Sequence, residues 1–254
     1  MRIHVVSDVH YRLDGLSAAA EGADAFICLG DLILFLDYDD PGQGILAELF
    51  GAANARRYVQ LRTANRWDEA RRFSRHLWAS AGADSWTVVS EKVGEQYERL
   101  FAEMPGGYLT FGNVDVPALW SQHVRDEHDV VDGVVRDIGG LRVGFVGGGL
   151  PSPMRTPFEI PEEEYDAKIA ALGSVDILCA HLPPDLPELT YDVAARRFER
   201  GSAGLLRAIH ELRPRYLLHG HVHQPLVPRM RVADTEVINV GHFRARGRPY
   251  VLQV

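Results

Sequence analysis

The chain predicts a layered α/β fold in one domain with a helical segment inserted into it, and three observations lead there. Short runs rich in Val, Ile, Leu and Phe recur from end to end, most are nearly continuous in hydrophobicity instead of alternating, and helical stretches fall between several of them. Strands covered on both faces carry that continuous pattern, because a side chain pointing either way meets apolar material. With 254 residues, 46% hydrophobic and 24% charged, there is enough apolar material for a sizeable core and no compositional sign of disorder.

The predicted strands occupy residues 3–7, 25–29, 108–111, 141–146, 175–180, 216–218, 236–240 and 250–254. Residues 42–104 interrupt this rhythm. They are rich in Ala, Arg and Glu, carry Trp67, Phe73, Trp78, Trp86 and Tyr97 along helical-looking stretches, and read as an inserted helical subdomain within the single 1–254 domain. The insertion separates the segment around Asp31 from that around Asn113, so it should leave from the loop side of the sheet, where function concentrates. Packing or homo-oligomer contact, and a lid that shapes substrate access, are both open roles for it. Further on, Pro161 followed by Glu162, Glu163 and Glu164 suits a helix N-terminal turn, and Gly173 suits its end. Ser202 is placed to cap a second helix over 203–212, whose stripe is Leu205, Leu206, Ile209 and Leu212 and which Pro214 stops.

Composition narrows the classes. A net charge of -8 and a pI near 5.8 give no electrostatic reason for broad attraction to nucleic acid or anionic lipid. Cys28 and Cys179 each lie inside an apolar run, which suits buried thiols in a reducing compartment better than a disulfide framework. Residues 1–8 meet a charged residue before a secretory apolar region could be completed, and no uninterrupted apolar stretch reaches the ~20 residues of a membrane helix. A soluble cytoplasmic protein is the expectation.

The chemistry sits where the apolar runs stop. Asp8-Val9-His10 follows the first run, and alternate residues of an extended segment project to one side, so a carboxylate and an imidazole can grip one ion. Gly30-Asp31 ends the second, Gly permitting a tight turn and Asp offering two oxygens able to bridge two cations. Gly112-Asn113-Val114-Asp115 repeats the arrangement, with the Asn113 amide oxygen as a neutral ligand. His181 ends the run at 175–180, and Gly220-His221-Val222-His223 places two histidines on one side of an extended turn. Any one of these is compatible with an ordinary turn or a core histidine. Five in succession, each at the end of an apolar run where α/β sheets bind ligands, point to one dinuclear metal site.

As an ordered set, Asp8-x-His10, Gly30-Asp31, Gly112-Asn113, His181 and Gly220-His221-x-His223 resemble the motifs of the calcineurin-like metallophosphoesterase superfamily, over nearly the whole chain apart from 42–104. The resemblance implies a β-sandwich of two mixed sheets flanked by helices. It also implies two divalent ions, Mn, Fe or Zn: Asp8, His10, Asp31 and His223 would hold one, and Asp31, Asn113, His181 and His221 the other. Asp31, Asn113, His181 and Asp115 are the candidate catalytic residues, Asp115 as a group that orients a ligand.

Two departures refine the expected function. Where the family often follows Gly-Asn with a His beside the leaving group, this chain has Val114, which donates no proton. His242, in Asn239-Val240-Gly241-His242, is a candidate substitute, against the plainer reading of a core or surface histidine. Leu32-Ile33-Leu34 follows Asp31 in place of the polar continuation of serine/threonine protein phosphatases, and their paired arginine motif has no match. The chain is expected to hydrolyse phosphoesters by a metal-activated hydroxide, with phosphodiesters favoured through likeness to small bacterial phosphodiesterases and a small phosphoester or nucleotide as substrate. A phosphomonoester phosphatase, or an inactive scaffold of the same fold that grips a protein partner, are the alternatives; the presence of all seven ligands weighs against the scaffold.

Overall fold

The computed structural model describes residues 1–81 and 84–254. In chain order its elements are β1 (Arg2–Val6), a 3-10 turn at Ser17–Ala20, β2 (Ala25–Cys28), α1 (Ile45–Phe50), α2 (Ala52–Thr63), α3 (Trp67–Ala81), α4 (Ser85–Glu103) and β3 (Gly107–Leu109). There follow α5 (Pro117–Trp120), β4 (His128–Val130), β5 (Val134–Ile138), β6 (Leu141–Val146), α6 (Glu162–Leu172) and β7 (Ile177–Ala180). The last part holds α7 (Pro187–Thr190), β8 (Tyr191–Asp192), β9 (Arg197–Phe198), α8 (Ala203–Glu211), β10 (Tyr216–His219), β11 (Arg229–Val232), β12 (Thr235–Asn239), α9 (Phe243–Arg246) and β13 (Tyr250–Gln253).

Two large mixed sheets organise these strands. One runs β13-β1-β2-β3-β4 and the other β11-β12-β10-β7-β6-β5, while β8 and β9 form a small hairpin. Each large sheet is parallel at its centre; the first is antiparallel at one edge, where β13 runs against β1, and the second at both, where β11 runs against β12 and β5 against β6. The two sheets share a buried layer in which Ile3, Val5, Ile27 and Leu29 meet Val143, Phe145, Ile177, Cys179, Leu218 and Ile238. The alternate residues of the second sheet, Leu178, Ala180, Leu217 and Val237, point the other way, into a layer with Tyr165, Ile169 and Leu172 of α6 and Leu205, Ala208 and Ile209 of α8. β7 thus buries both of its faces, which is why its sequence is an unbroken apolar run. Cys28 and Cys179 are buried free thiols on β2 and β7.

The chain divides into two compact units, one of residues 1–32 with 100–254 and the other of Ile33–Arg99. The second unit is built from α1, α2, α3 and most of α4. Within it Phe50 meets Trp78 edge to face at 4.7 Å, Arg62 is buried with its guanidinium 5.5–5.8 Å from the rings of Tyr38, Tyr58 and Trp67, and the Gln96 side chain bonds both the backbone N–H and the carbonyl of Leu34. Among the described residues no helix is long and apolar enough to cross a membrane.

Register, more than composition, positions the site. In the first sheet Val6 of β1 lies opposite Cys28 of β2, and Cys28 opposite Leu109 of β3. In the second, Cys179 of β7 lies opposite Leu218 of β10, and Leu218 opposite Ile238 of β12. Parallel strands in step end side by side, so the loops that leave them emerge in a row.

Candidate metal centre

Those loops bring together all seven residues that the sequence nominated as ligands. The loops after β1 and β2 run alongside each other, with Asp8 N donating to Gly30 O at 3.0 Å and His10 N to Asp31 O at 2.9 Å. Gly30 allows the loop after β3 to close in, since a Cβ there would lie 1.9 Å from the Gly112 nitrogen. Gly220 does the same between the sheets, because a Cβ would lie 1.9 Å from Ser7 Oγ and 2.6 Å from Asp8 Oδ2. The His221 N–H then donates to Asp8 Oδ2 at 3.0 Å, tying the turn after β10 to the turn after β1. Asp8, His10, Asp31 and His221 all hold left-handed backbone conformations, with φ of 57°, 41°, 56° and 67°. Such conformations in residues other than Gly cost about 1 kcal/mol or more each and persist where the surrounding contacts impose them.

Three groups of side chains have ligand atoms within 4.8 Å of one another: Asp31, His181 and His221; Asp8, His10 and Asp31; and His10, His223 and His242. Asp31 belongs to both of the first two. Its Oδ1 accepts the Val114 N–H at 2.9 Å, while Oδ2 lies 3.4 Å from His181 Nε2 and 3.9 Å from His10 Nε2. His181 is fully buried, its Nδ1 2.9 Å from Leu29 O and its Nε2 3.0 Å from Asn113 Oδ1. That same Oδ1 is 2.9 Å from His221 Nδ1, and the Asn113 amide donates its N–H to Thr156 Oγ1 at 3.0 Å. Thr156 in turn donates to Glu159 Oε1, which also accepts from Ser152 Oγ, so the loop after β6 fixes which way the Asn113 amide faces. On the other side His10 Nε2 and His223 Nε2 are 3.1 Å apart, and His223 Nε2 is 3.7 Å from Asp8 Oδ1.

Asp115 does a different job. Its Oδ2 accepts the Asp31 and Gly112 N–H groups, both at 2.8 Å, and its Oδ1 accepts the Leu32 N–H at 2.9 Å, so it clasps the turn after β2 to the turn after β3. Val114, the next residue after Asn113, offers the site only its backbone N–H.

Charge is concentrated in this cleft at the strand ends. Burial opposes ionisation of Asp31, yet the positive charge and hydrogen bond of His181 outweigh it and hold Asp31 well below the usual carboxylate range. Burial would also discharge His181, but the Asp31 carboxylate prevails and raises it to about 9. Asp8 is raised, chiefly by burial, and Asp115 is raised to about 7 by burial with the Asp31 charge beside it. His221 is lowered to about 3 by burial and by the charge on His181, and burial, with His223 and His10 adding to it, pushes His242 well below the usual imidazole range.

Whether such a cluster suits metal can be judged from its unpaired atoms. Asp8 Oδ1, His221 Nε2 and His242 Nε2 are buried without a hydrogen-bond partner. A buried polar atom left unpaired costs about 1–3 kcal/mol. Imidazole nitrogens and carboxylate oxygens are also the donors that borderline divalent ions take, so ions would satisfy these atoms together. The residues fit the group.

A family model described as Calcineurin-like phosphoesterase matches residues 1–225, which takes in every ligand-bearing turn. The chain belongs to the calcineurin-like phosphoesterase family. As a member it is a metal-dependent phosphoesterase, with His and Asp groups able to hold divalent ions. The structure of this calcineurin-like phosphoesterase is similar to one solved crystal structure at a TM-score of 0.62 and 15% identity, covering 99% of this chain and 98% of the other. It is also similar to the crystal structure of TT1561 of Thermus thermophilus, at a TM-score of 0.54, 14% identity and the same two coverages. At these identities the likeness is one of fold. No curated protein matches the chain.

His242, expected to be a core or surface histidine, is buried, and its ring stacks on His223 with centroids 3.8 Å apart. Thr156 reaches the site from the loop after β6 and Asn239 from the end of β12, and no local pattern marks either as a support.

Proposed function

We propose that this phosphoesterase is a dinuclear enzyme that hydrolyses phosphodiesters. The observation that carries the reading is the position of Asp31, one carboxylate common to the Asp8–His10 group and the His181–His221 group. Asp8, His10, Asp31 and His223 hold one ion in this reading, and Asp31, Asn113, His181 and His221 the other. When bound, the ions supply Lewis acidity toward phosphate oxygens and a nucleophile from water at neutral pH.

The chain's own residues set the geometry. The Leu29 carbonyl engages His181 Nδ1 and leaves Nε2 for the cleft. Thr156 and Glu159 hold the Asn113 amide with its oxygen toward His181 and His221, and Asp115 keeps the Asp31 and Gly112 turns in contact. Beside the leaving group, Val114 has no proton to give. Proton donation contributes typically about 10²–10⁴-fold, so turnover here depends on how well the leaving group departs unaided. Val114 also aligns this chain with the small bacterial phosphodiesterases it resembles, and that supports diesters over monoesters.

Activity with Mn²⁺ on bis-p-nitrophenyl phosphate, p-nitrophenyl phosphate and diesters of poorer leaving groups tests this. The expected result is a kcat/KM for the aryl diester that exceeds that for the aryl monoester, falls steeply as the leaving group worsens, and falls less steeply in Val114→His. A higher value for the monoester overturns the diester preference. Absence of both activities in a chain that binds no metal overturns the dinuclear reading.

A further inference from the structure

We propose that His242 is an additional imidazole ligand of the ion on the Asp8 side, making that position richer in nitrogen than its neighbour; the inference rests on the dinuclear reading above.

Strand register places His242 in line with the other candidate ligands. In the first sheet the ligands follow the in-step residues Val6, Cys28 and Leu109 by two, three and four residues, at Asp8, Asp31 and Asn113. In the second sheet the residues in step are Cys179, Leu218 and Ile238, and two, three and four residues beyond them stand His181, His221 and His242. His242 therefore closes a row in which every other position is already a candidate ligand.

Contacts hold it there. The Phe243 N–H donates to Ser7 O at 2.9 Å, the Arg244 N–H to Asp8 O at 3.0 Å, and Arg244 Nη1 to His10 O at 2.8 Å, so the segment just after His242 is laced to the Asp8–His10 turn. Asn239 ties the same segment to the histidine pair, its Nδ2 donating to Val222 O at 2.9 Å and its Oδ1 accepting the Gly241 N–H at 2.9 Å. Held between the two turns, the His242 ring stacks on His223, meets His10 edge to face at 5.7 Å, and offers a ligand atom within 4.8 Å of theirs.

A histidine kept only for packing would have its nitrogens paired or in water. His242 is 8% exposed and its Nε2 is buried without a partner, as is Oδ1 of Asp8, whose turn shares His10 with it. Three imidazoles with ligand atoms within 4.8 Å of one another also carry a preference: nitrogen-rich sites favour Zn²⁺, Co²⁺ or Fe over Mg²⁺ and Mn²⁺. The neighbouring position, with Asn113 Oδ1 among its donors, is less biased.

Calorimetric titration of metal-free full-length protein with Zn²⁺, and separately with Mn²⁺, tests this in wild type, His242→Gln and His181→Gln. Wild type should take two Zn²⁺. His242→Gln should keep one site intact and weaken the other at least about tenfold for Zn²⁺, on the scale seen when groups supporting a metal site are lost, with a smaller effect for Mn²⁺. His181→Gln should weaken the other site instead. Long-range ¹H–¹⁵N correlation spectra of wild type, with and without Zn²⁺, give a reading that needs no folded variant: the His242 Nε2 resonance should move from the free-imine position on loading. An unmoved resonance, or unchanged Zn²⁺ affinity in His242→Gln, overturns the assignment while leaving the dinuclear reading intact. A stoichiometry of three falling to two overturns it as well, since the ion at His242 would then be separate. A wild type that binds no Zn²⁺ or Mn²⁺ overturns both.

Discussion

The buried His181–Asp31 pair makes metal binding pH-dependent in a direction that its surroundings dictate. His181 has an acceptor on each nitrogen, Leu29 O at 2.9 Å from Nδ1 and Asn113 Oδ1 at 3.0 Å from Nε2, so in the metal-free protein it sits as an imidazolium with both protons engaged. Its folded value of about 9 lies above the ordinary 6.5, so the charged form stabilises the metal-free fold fully below about pH 6.5, and this contribution is lost as pH rises through about 9. An ion that takes Nε2 must displace that proton, and affinity moves the opposite way, rising with pH up to about 9. Calorimetry at pH 7 in two buffers of different ionisation heat should show proton release, and His181→Gln should lower it by about one proton per protein. Release of none in wild type would separate His181 from the ion. At this scale the candidate ligands stood out in the sequence by residue type, Asp, His and Asn at the ends of apolar runs, and the structure brings those seven side chains together. Their supports did not stand out: Leu29 acts through a carbonyl that any residue would provide, and Thr156 sits in the irregular loop 147–160, outside every periodic segment.

The elements recognised from sequence were those whose signals are local. Ser202 caps α8 as its position promised, its Oγ accepting the Leu205 N–H at 3.1 Å, and Leu205 and Ile209 lie fully buried beneath it. Ser202→Ala should therefore lower stability by about 1 kcal/mol, read as a lower urea midpoint with an unchanged slope, and leave Zn²⁺ stoichiometry as it was. Likewise α6 starts after Pro161 with three acidic residues and stops at Gly173, whose φ is 62°. The strands that escaped notice were not apolar runs. β5 reads Val134-Val135-Arg136-Asp137-Ile138 and β11 reads Arg229-Met230-Arg231-Val232; both are sheet edges whose residues, Ile138 apart, are exposed or half-buried, and charged side chains there discourage further pairing. β4 has three residues and β8 and β9 two each, too short for any period to register. A reading tuned to strands covered on both faces finds the sheet centres and passes over the margins, and the centres are where the ligand-bearing loops originate.

For the molecule as a whole, the order of the candidate ligands was visible in the sequence but their meeting was not, since His223 and Asp8 stand 215 positions apart and the two in-step sheets bring their loops together. That convergence leaves the metal-free fold carrying buried carboxylates, facing imidazoles and unpaired atoms in one cleft, and metal should therefore act as part of the fold. Ions that bind the folded chain and not the unfolded one stabilise it by about 4 kcal/mol when present at a thousand times their dissociation constant. For a protein of this size each kcal/mol moves Tm by about 2–4 °C, so removal of tightly bound ions should lower it by about 8–16 °C. All seven candidate ligands lie in the unit of residues 1–32 and 100–254, and none lies in Ile33–Arg99. If the two units melt separately, scanning calorimetry should show only the transition of the first moving on chelation. Tryptophan emission would underreport the change, because Trp67, Trp78 and Trp86 belong to the second unit and Trp120 alone to the first. Asp31→Asn, which removes the carboxylate common to the Asp8–His10 group and the His181–His221 group, should bring the loaded and chelated traces close together. Equal traces for wild type with saturating Zn²⁺ and with chelator would mean that the folded chain binds no ion in preference to the unfolded one, and the convergence of the strand ends would then need another explanation.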